Sequence, residues 1–534
     1  MVQITTTERR LARLLADLAY CNPFRPERLA LEEAALGSEF RPEESIAWNR
    51  SVESVDGERP NVVNLTRHAE ALVERMREAF SSGIAANDEM GECYADIVSY
   101  VLYYRHMASL RGDALLDLAS PKSTKTARLW RVFRDDYERF LAPLATVRSN
   151  FPAAEHLFAC FYQVRRGFHY IFEAILGDSL PAAQLRATVW ESIFTHDMRR
   201  YRRTLYDRMR DLSTLITGPS GTGKELVARA IGHSQYVAFD TGSERFEGQP
   251  GDAFLALNLS AFSPTLIESE LFGHCKGAYT GALADRQGWL ESCPYYGAVF
   301  LDEIGELDLG IQVKLLRVVQ SRQYSRLGET TSRHFSGKII AATNRKLAEE
   351  IRCGRFREDL YYRLCSDRIE TPALRDHLAD RPEALRGWVA YLAQRLAGDA
   401  AGELADEAVA WIEENLGAEY DWPGNIRELE QCVRSILIRK DYPAAAAVGV
   451  VRDEPCPPEW LRQAMDGKLT AEQLVSAYCA AVYQRLGSYQ QTAHALGLDR
   501  RTVRSKIEAL DDGAAAATTT APQGARHNEK EAAS

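Results

Sequence analysis

Apolar residues recur at three- and four-residue intervals through the first 188 positions, and that spacing predicts helices. Leu11, Leu14, Leu15 and Leu18 share one face after Thr7, which reads as a helix N-cap. Similar runs cover 68–80, 94–110, 126–141 and 155–176, with breaks at Asn22-Pro23, the Gly57 to Pro60 cluster and Pro143. The last run carries Tyr162, Arg165, Arg166, Phe168, His169, Tyr170 and Phe172, and reads as a helix with core rings and solvated arginines. Residues 1–188 are thus expected to form an all-α domain. A regulatory role for it is inferred from position alone.

Near Trp190 the period changes. A basic helix is expected over His196 to Arg210, followed by short continuous apolar runs at Leu215–Thr217, Phe254–Asn258, Ala298–Glu303 and Lys338–Asn344. Runs of this length between helical segments predict strands of a parallel sheet buried on both faces. The polar stretch Asp240–Asp252 reads as a surface loop.

The first strand leads into Gly218-Pro219-Ser220-Gly221-Thr222-Gly223-Lys224-Glu225, and helical spacing resumes at once. A strand, a glycine-rich turn and a helix N-terminus form an anion cradle, and the lysine reaches the terminal phosphates. The third run ends in Asp302-Glu303, suited to holding Mg²⁺ and polarising a water; the fourth ends in Asn344, near the same phosphate. ATP and Mg²⁺ are the expected cofactors. Between strands, Gly277-Ala278-Tyr279-Thr280-Gly281-Ala282 places an aromatic between two glycines, predicted to be the tip of an exposed interaction loop.

The chain has 534 residues, 46% apolar and 26% charged, as in ordinary soluble proteins, so several domains are expected. A net charge of −10 excludes wholesale coating of nucleic acid but allows a local basic patch. Ten cysteines without a C-x-x-C pair read as thiols in a reducing compartment, neither disulfide frame nor zinc site. Charged residues interrupt every long apolar stretch of the N-terminal third, so no membrane span is expected and the protein is read as cytoplasmic.

Glu268-Ser-Glu-Leu-Phe-Gly-His274 and Gly277–Ala282 closely resemble the sigma-contacting motif of the sigma-54-dependent transcriptional activators, or bacterial enhancer-binding proteins, which are AAA+ ATPases. The resemblance covers about 190–433 and the C-terminal segment. It implies an α/β AAA+ fold, a parallel sheet with a helical lid, and a hexameric ring built by self-association of dimers. It implies that Asn258 restrains the catalytic Glu303, that Asn344 is a phosphate sensor, that Arg357 and Arg363 are fingers reaching a neighbouring subunit, and that Arg427 lies near the nucleotide. Sigma-54 and the RNA polymerase holoenzyme are the implied partners. Tyr279 stands where the family usually has Phe, Pro219 where it usually has Glu, and Tyr295-Tyr296-Gly297-Ala298 departs from its usual pattern.

After a linker at 441–468 with Ala444–Ala447, Pro455, Pro457 and Pro458, an amphipathic helix is predicted over 469–486, with Leu474, Tyr478, Val482 and Leu486 on one stripe. Helix, Leu496-Gly497-Leu498 turn and helix then give helix-turn-helix syntax through residue 511, with Asp499 as N-cap. Arg500, Arg501, Thr502, Arg504, Ser505 and Lys506 are the candidate contacts to upstream enhancer DNA. This segment resembles the Fis-type domain of the same activators. Residues 512–534 read as a disordered tail. The domains expected are therefore 1–188, 189–440 and 469–511. The expected function is ATP-driven remodelling of the sigma-54 polymerase closed complex into an open one. The alternatives are a DNA-binding AAA+ regulator, repressor or scaffold, that no longer engages sigma-54, and a remodeller of another protein.

Overall fold

The computed structural model describes residues 4–42, 59–82, 88–142, 151–249, 251, 253–443, 459–465 and 467–517. Contacts divide the chain into two units, 1–449 and 450–534.

At the centre of the first unit is a five-stranded parallel sheet: β1 (Thr214–Thr217), β2 (Phe254–Asn258), β3 (Ala298–Asp302), β4 (Lys338–Thr343) and β5 (Asp367–Glu370), in the order β5-β1-β4-β3-β2. β1, β3 and β4 are almost wholly buried, which explains their unbroken apolar character. Beyond β5, the helices Leu374–Asp380, Ala384–Ala397, Ala401–Asn415 and Asn425–Arg439 form a lid around Leu392, Ile412, Trp422 and Leu429. The α/β sheet with helical lid matches the expected fold class.

The N-terminal region is all-α, as expected, with helices Thr6–Leu18, Pro26–Leu36, Pro60–Ser81, Asp88–His106, Lys125–Leu141, Ala154–Ala174 and Leu180–Phe194 among the described residues. Four local expectations change. The first helix is capped by Thr5, not Thr7: Thr5 and Glu8 satisfy each other's main-chain N–H groups in a capping box. The basic segment after 196 is not one helix but a turn at Met198–Arg200, a π-helical turn at Tyr201–Leu205 and a 3₁₀ turn at Met209–Asp211. The 240–252 stretch is not only surface loop. Strands Phe239–Asp240 and Arg245–Phe246 pair, and both phenylalanines enter the N-terminal core, Phe239 4.8 Å from Trp130 and Phe246 stacked 4.2 Å from Tyr162. A boundary at 188/189 would cut the Leu180–Phe194 helix. Its Trp190 and Phe194 share one core with Ile216, Val227 and Phe300 of the sheet unit. The helices and the sheet therefore fold as one body.

The second unit holds helices Glu459–Met465, Ala471–Leu486, Tyr489–Leu496 and Arg500–Ala517. The last two meet at Gly497, whose φ of +65° closes the turn in the left-handed region that favours glycine. Asp499 Oδ1 accepts the N–H groups of Arg501 and Thr502, as the N-cap reading predicts. Of the expected stripe, Val482 is inside, with Ser476, Ala477 and Cys479, while Leu474 and Tyr478 are exposed. The final helix passes residue 511 and runs to Ala517, because Ala514–Ala517 are the strongest helix formers and outweigh Gly513. The expected linker alanines and prolines, Gly57, Pro143 and the tail from 518 lie outside the described residues. No described helix is long and apolar enough to cross a membrane. Cys160, Cys293, Cys432 and Cys479 are buried free thiols, and no metal-binding cluster of His, Cys, Asp or Glu occurs among the described residues.

Candidate nucleotide site

The loop Gly218–Gly223 joins β1 to the helix Lys224–His233. Two of its glycines are forced by close approach. A Cβ at Gly218, where φ is +147°, would lie 2.2 Å from Thr371 Oγ1, and one at Gly221, where φ is +79°, would lie 2.3 Å from the Gly424 carbonyl. The loop is therefore pinned on both sides. Thr371 N–H bonds the Thr217 carbonyl at 2.8 Å, and its hydroxyl is 2.6 Å from that of Thr222. From the lid, Asn425 Nδ2 donates to the Ser220 carbonyl at 2.9 Å, Ile426 N–H to the Gly221 carbonyl at 3.1 Å, and Arg427 Nη1 to Ser220 Oγ at 3.2 Å. Asn425 holds φ at +54° to do this, while its Oδ1 accepts the Leu374 N–H.

Lys224 is buried, and its ammonium donates to the Gly218 and Pro219 carbonyls at 3.0 Å each, with no carboxylate in ion-pair range among the described residues. Burial pulls its pKa down, with the more distant Glu303 and Asp302 opposing. A buried ammonium held only by carbonyls, with a guanidinium anchored beside it, fits a polyphosphate. Glu225 is turned away, paired with Arg229 at 2.9 Å.

Asp302 ends β3, and its Oδ1 accepts the Glu303 N–H at 3.1 Å. Glu303 follows with φ at +56°, a left-handed conformation that turns the chain and aims the carboxylate at β4, where Oε2 accepts the Asn344 N–H at 3.4 Å. Burial raises both carboxyl pKa values. A main-chain N–H bond opposes the rise on each, and the Asp302 charge adds to it on Glu303. Asn258 sits opposite Asp302 in register, and its Oδ1 accepts from Ser260 N–H and Oγ, at 3.0 and 2.7 Å.

Arg357 is the N-cap of the helix Glu358–Leu364, and Arg363 lies in its last turn. Arg357 is held on Asp359 at 2.6 Å, and Arg363 is exposed. In the Gly277–Ala282 loop, Gly277 N–H donates to the Ala282 carbonyl at 2.9 Å, and both glycines have positive φ. Tyr279 is not an exposed tip. It is half-buried, edge-on to His274 with ring centroids 5.1 Å apart, and Leu283 is the solvent-facing apolar side chain, 86% exposed.

A family model described as the Sigma-54 interaction domain matches residues 194–370. The sigma54-dependent transcriptional activator SfnR of Pseudomonas putida is 39% identical over 322 residues, covering 57% of this chain and 82% of that protein. The chain belongs to the sigma-54-dependent transcriptional activators. The nif-specific regulatory protein of Klebsiella pneumoniae is 38% identical over 308 residues, and this chain spans 55% of its length. The crystal structure of NtrX from Brucella abortus is similar at 26% identity and a TM-score of 0.38, over 73% of this chain and 76% of that one. As an activator of this family the chain carries a domain of the AAA+ ATPase class.

Sequence reasoning missed Thr371, Asn425 and the buried Arg166. Thr371 had a usable signal, a polar residue directly after a strand. Arg166 had none, because an arginine on an amphipathic helix reads the same whether it meets water or a carbonyl.

Proposed function

We propose that this activator binds ATP with Mg²⁺ at the 218–225 loop and hydrolyses it in a hexameric ring of copies. The ring drives the Gly277–Ala282 loop against sigma-54, opening promoter DNA in the polymerase closed complex. The observation that carries the reading is the meeting of Lys224 and Arg427 on the loop after β1, with Asp302 at the end of β3, one strand removed in the same sheet, and Glu303 directly after it.

In this reading Lys224, the loop N–H groups and Arg427 orient the triphosphate. Asp302 would hold Mg²⁺, which supplies neutralisation of phosphate charge when bound. Glu303 takes the proton of the attacking water, and Asn344 fixes that carboxylate through its N–H. Asn258, held by Ser260, and Arg357 and Arg363, at the helix Glu358–Leu364, are assigned to contacts made on assembly, the two arginines to a neighbour's γ-phosphate. The second unit binds upstream DNA as a dimer.

Nucleotide binding and steady-state hydrolysis test the ATPase step. Lys224→Ala should lose ATP affinity, and Glu303→Gln should keep affinity while hydrolysis falls about 10²–10⁴-fold. Glu303→Gln turning over at the parent rate would sink the assignment.

A further inference from the structure

Thr371 follows β5 directly, and its side chain is buried. Its hydroxyl lies 2.6 Å from the Thr222 hydroxyl and 3.3 Å from the Thr217 carbonyl. Thr222 Oγ1 in turn reaches the Pro219 carbonyl at 2.9 Å, and Lys224 Nζ donates to that same carbonyl at 3.0 Å. A hydroxyl has a single proton to give, so the pair has two bonding patterns. In one, Thr371 donates to Thr222 and Thr222 to the Pro219 carbonyl. In the other, Thr222 donates to Thr371 and Thr371 to the Thr217 carbonyl. The second needs an O–H···O contact of 3.3 Å, beyond the usual ~2.5–3.0 Å, to an oxygen that already accepts the Thr371 N–H. The first pattern is therefore favoured, and it puts two donors on Pro219.

That doubling matters for Lys224. Its ammonium is engaged by the Gly218 and Pro219 carbonyls and must leave them to meet a phosphate. A loop held in shape by its own lysine would lose that shape as the lysine moved. Here the surrounding carbonyls keep other donors: Thr371 N–H on Thr217, Thr222 on Pro219, Asn425 on Ser220 and Ile426 N–H on Gly221. Groups fixed before a ligand arrives need no reorganisation when it binds. Thr222 serves Pro219 only while its proton points that way, and the Thr371 hydroxyl, donating into the Thr222 oxygen, sets that direction.

We propose that Thr371 is a positioning residue for the phosphate loop. Acting through Thr222, it holds the Pro219 carbonyl and leaves Lys224 free to move onto the phosphates of the nucleotide. The role deepens the ATPase reading above and rests on it.

Calorimetric titration of the full chain with Mg²⁺ and a non-hydrolysable imido analogue of ATP tests this, beside steady-state hydrolysis of ATP. Thr371→Val keeps the branched shape and the N–H bond to Thr217 but removes the hydroxyl. It should weaken analogue binding and raise KM by roughly two- to tenfold, the worth of one hydrogen bond, while turnover at saturating ATP changes less. Thr371→Ser, which keeps the hydroxyl and drops the methyl, should match the parent in both. Thr222→Val should cause a similar loss, and the double valine variant no more than either alone, because each cuts the same chain of bonds. Parent-like affinity in Thr371→Val, an equal loss in Thr371→Ser, losses that add, or a fall in turnover larger than the loss of affinity would overturn the role. A parent chain that binds no analogue would overturn the ATPase reading, and this role with it.

Discussion

The Arg166 guanidinium donates a 2.5 Å hydrogen bond to the carbonyl of His233, the last residue of the helix that begins with Lys224. A second bond, at 2.7 Å, reaches the Gln235 carbonyl, and the side chain is fully buried. A cation at a helix C-terminus meets both the unpaired carbonyls and the negative end of the dipole. The N-terminal domain thus holds the far end of the phosphate-binding helix. Arg166→Met should lower unfolding free energy by about 2–4 kcal/mol in urea melts, since it strands buried carbonyls. An unchanged midpoint would show that the contact is idle.

His377 ties the same domain to the lid: Ser179 Oγ and His377 Nδ1 are 2.7 Å apart, and both side chains are buried. Burial depresses the imidazole pKa to about 4. Between that value and the usual 6.5 the unfolded chain binds the extra proton, so stability is full above about pH 6.5 and lost as pH falls toward 4. The contribution is at most about 3 kcal/mol. Urea midpoints measured across that range should fall for the parent and flatten for His377→Gln. Parallel curves would exclude this group as the cause.

Glu303 carries the opposite sign. Its pKa is raised by burial and by Asp302, so the folded chain holds the proton more tightly, and ionisation near neutral pH weakens the fold. Glu303→Gln should therefore raise the melting temperature at neutral pH while hydrolysis falls. For the parent, turnover should decline with acid at a higher pH than an ordinary glutamate would give. A lowered melting temperature in Glu303→Gln would refute the stored cost.

On the last helix the cations are not equivalent. Lys506 is held by Glu472 at 2.7 Å and Arg504 by Glu508 at 2.7 Å, whereas Arg500 and Arg501 are exposed and make no ion pair among the described residues. Arg501→Ala should weaken DNA binding and reduce the salt slope by roughly one. Lys506→Ala should act mainly on the stability of the second unit. Equal losses of affinity in gel-shift titrations would contradict this division.

How much of this was legible in the sequence depended on what each residue's signal was made of. β1, β3 and β4 could be read because a strand buried on both faces must be apolar throughout, and the phosphate loop because its glycines and lysine are contiguous. Arg166 and His233 lie 67 positions apart, and no local pattern joins them. Phe239 and Phe246 were hidden for a similar reason. Two apolar residues in a polar stretch look like a loop until the core that receives them is seen. Tyr279 and Leu283 exchanged roles because the edge-on contact of His274 with the tyrosine ring depends on how the loop folds back, which no spacing within the motif records.

The central claim, ATP-driven opening of a sigma-54 promoter, is tested most directly by open-complex formation with sigma-54 polymerase and ATP on a promoter carrying the upstream site. The parent should open it. Tyr279→Ala and Leu283→Asp should hydrolyse ATP within about twofold of the parent yet form less than about a tenth of the open complex. A parent that hydrolyses ATP but opens nothing, or a Tyr279→Ala variant that opens the promoter at the parent rate, would contradict the account.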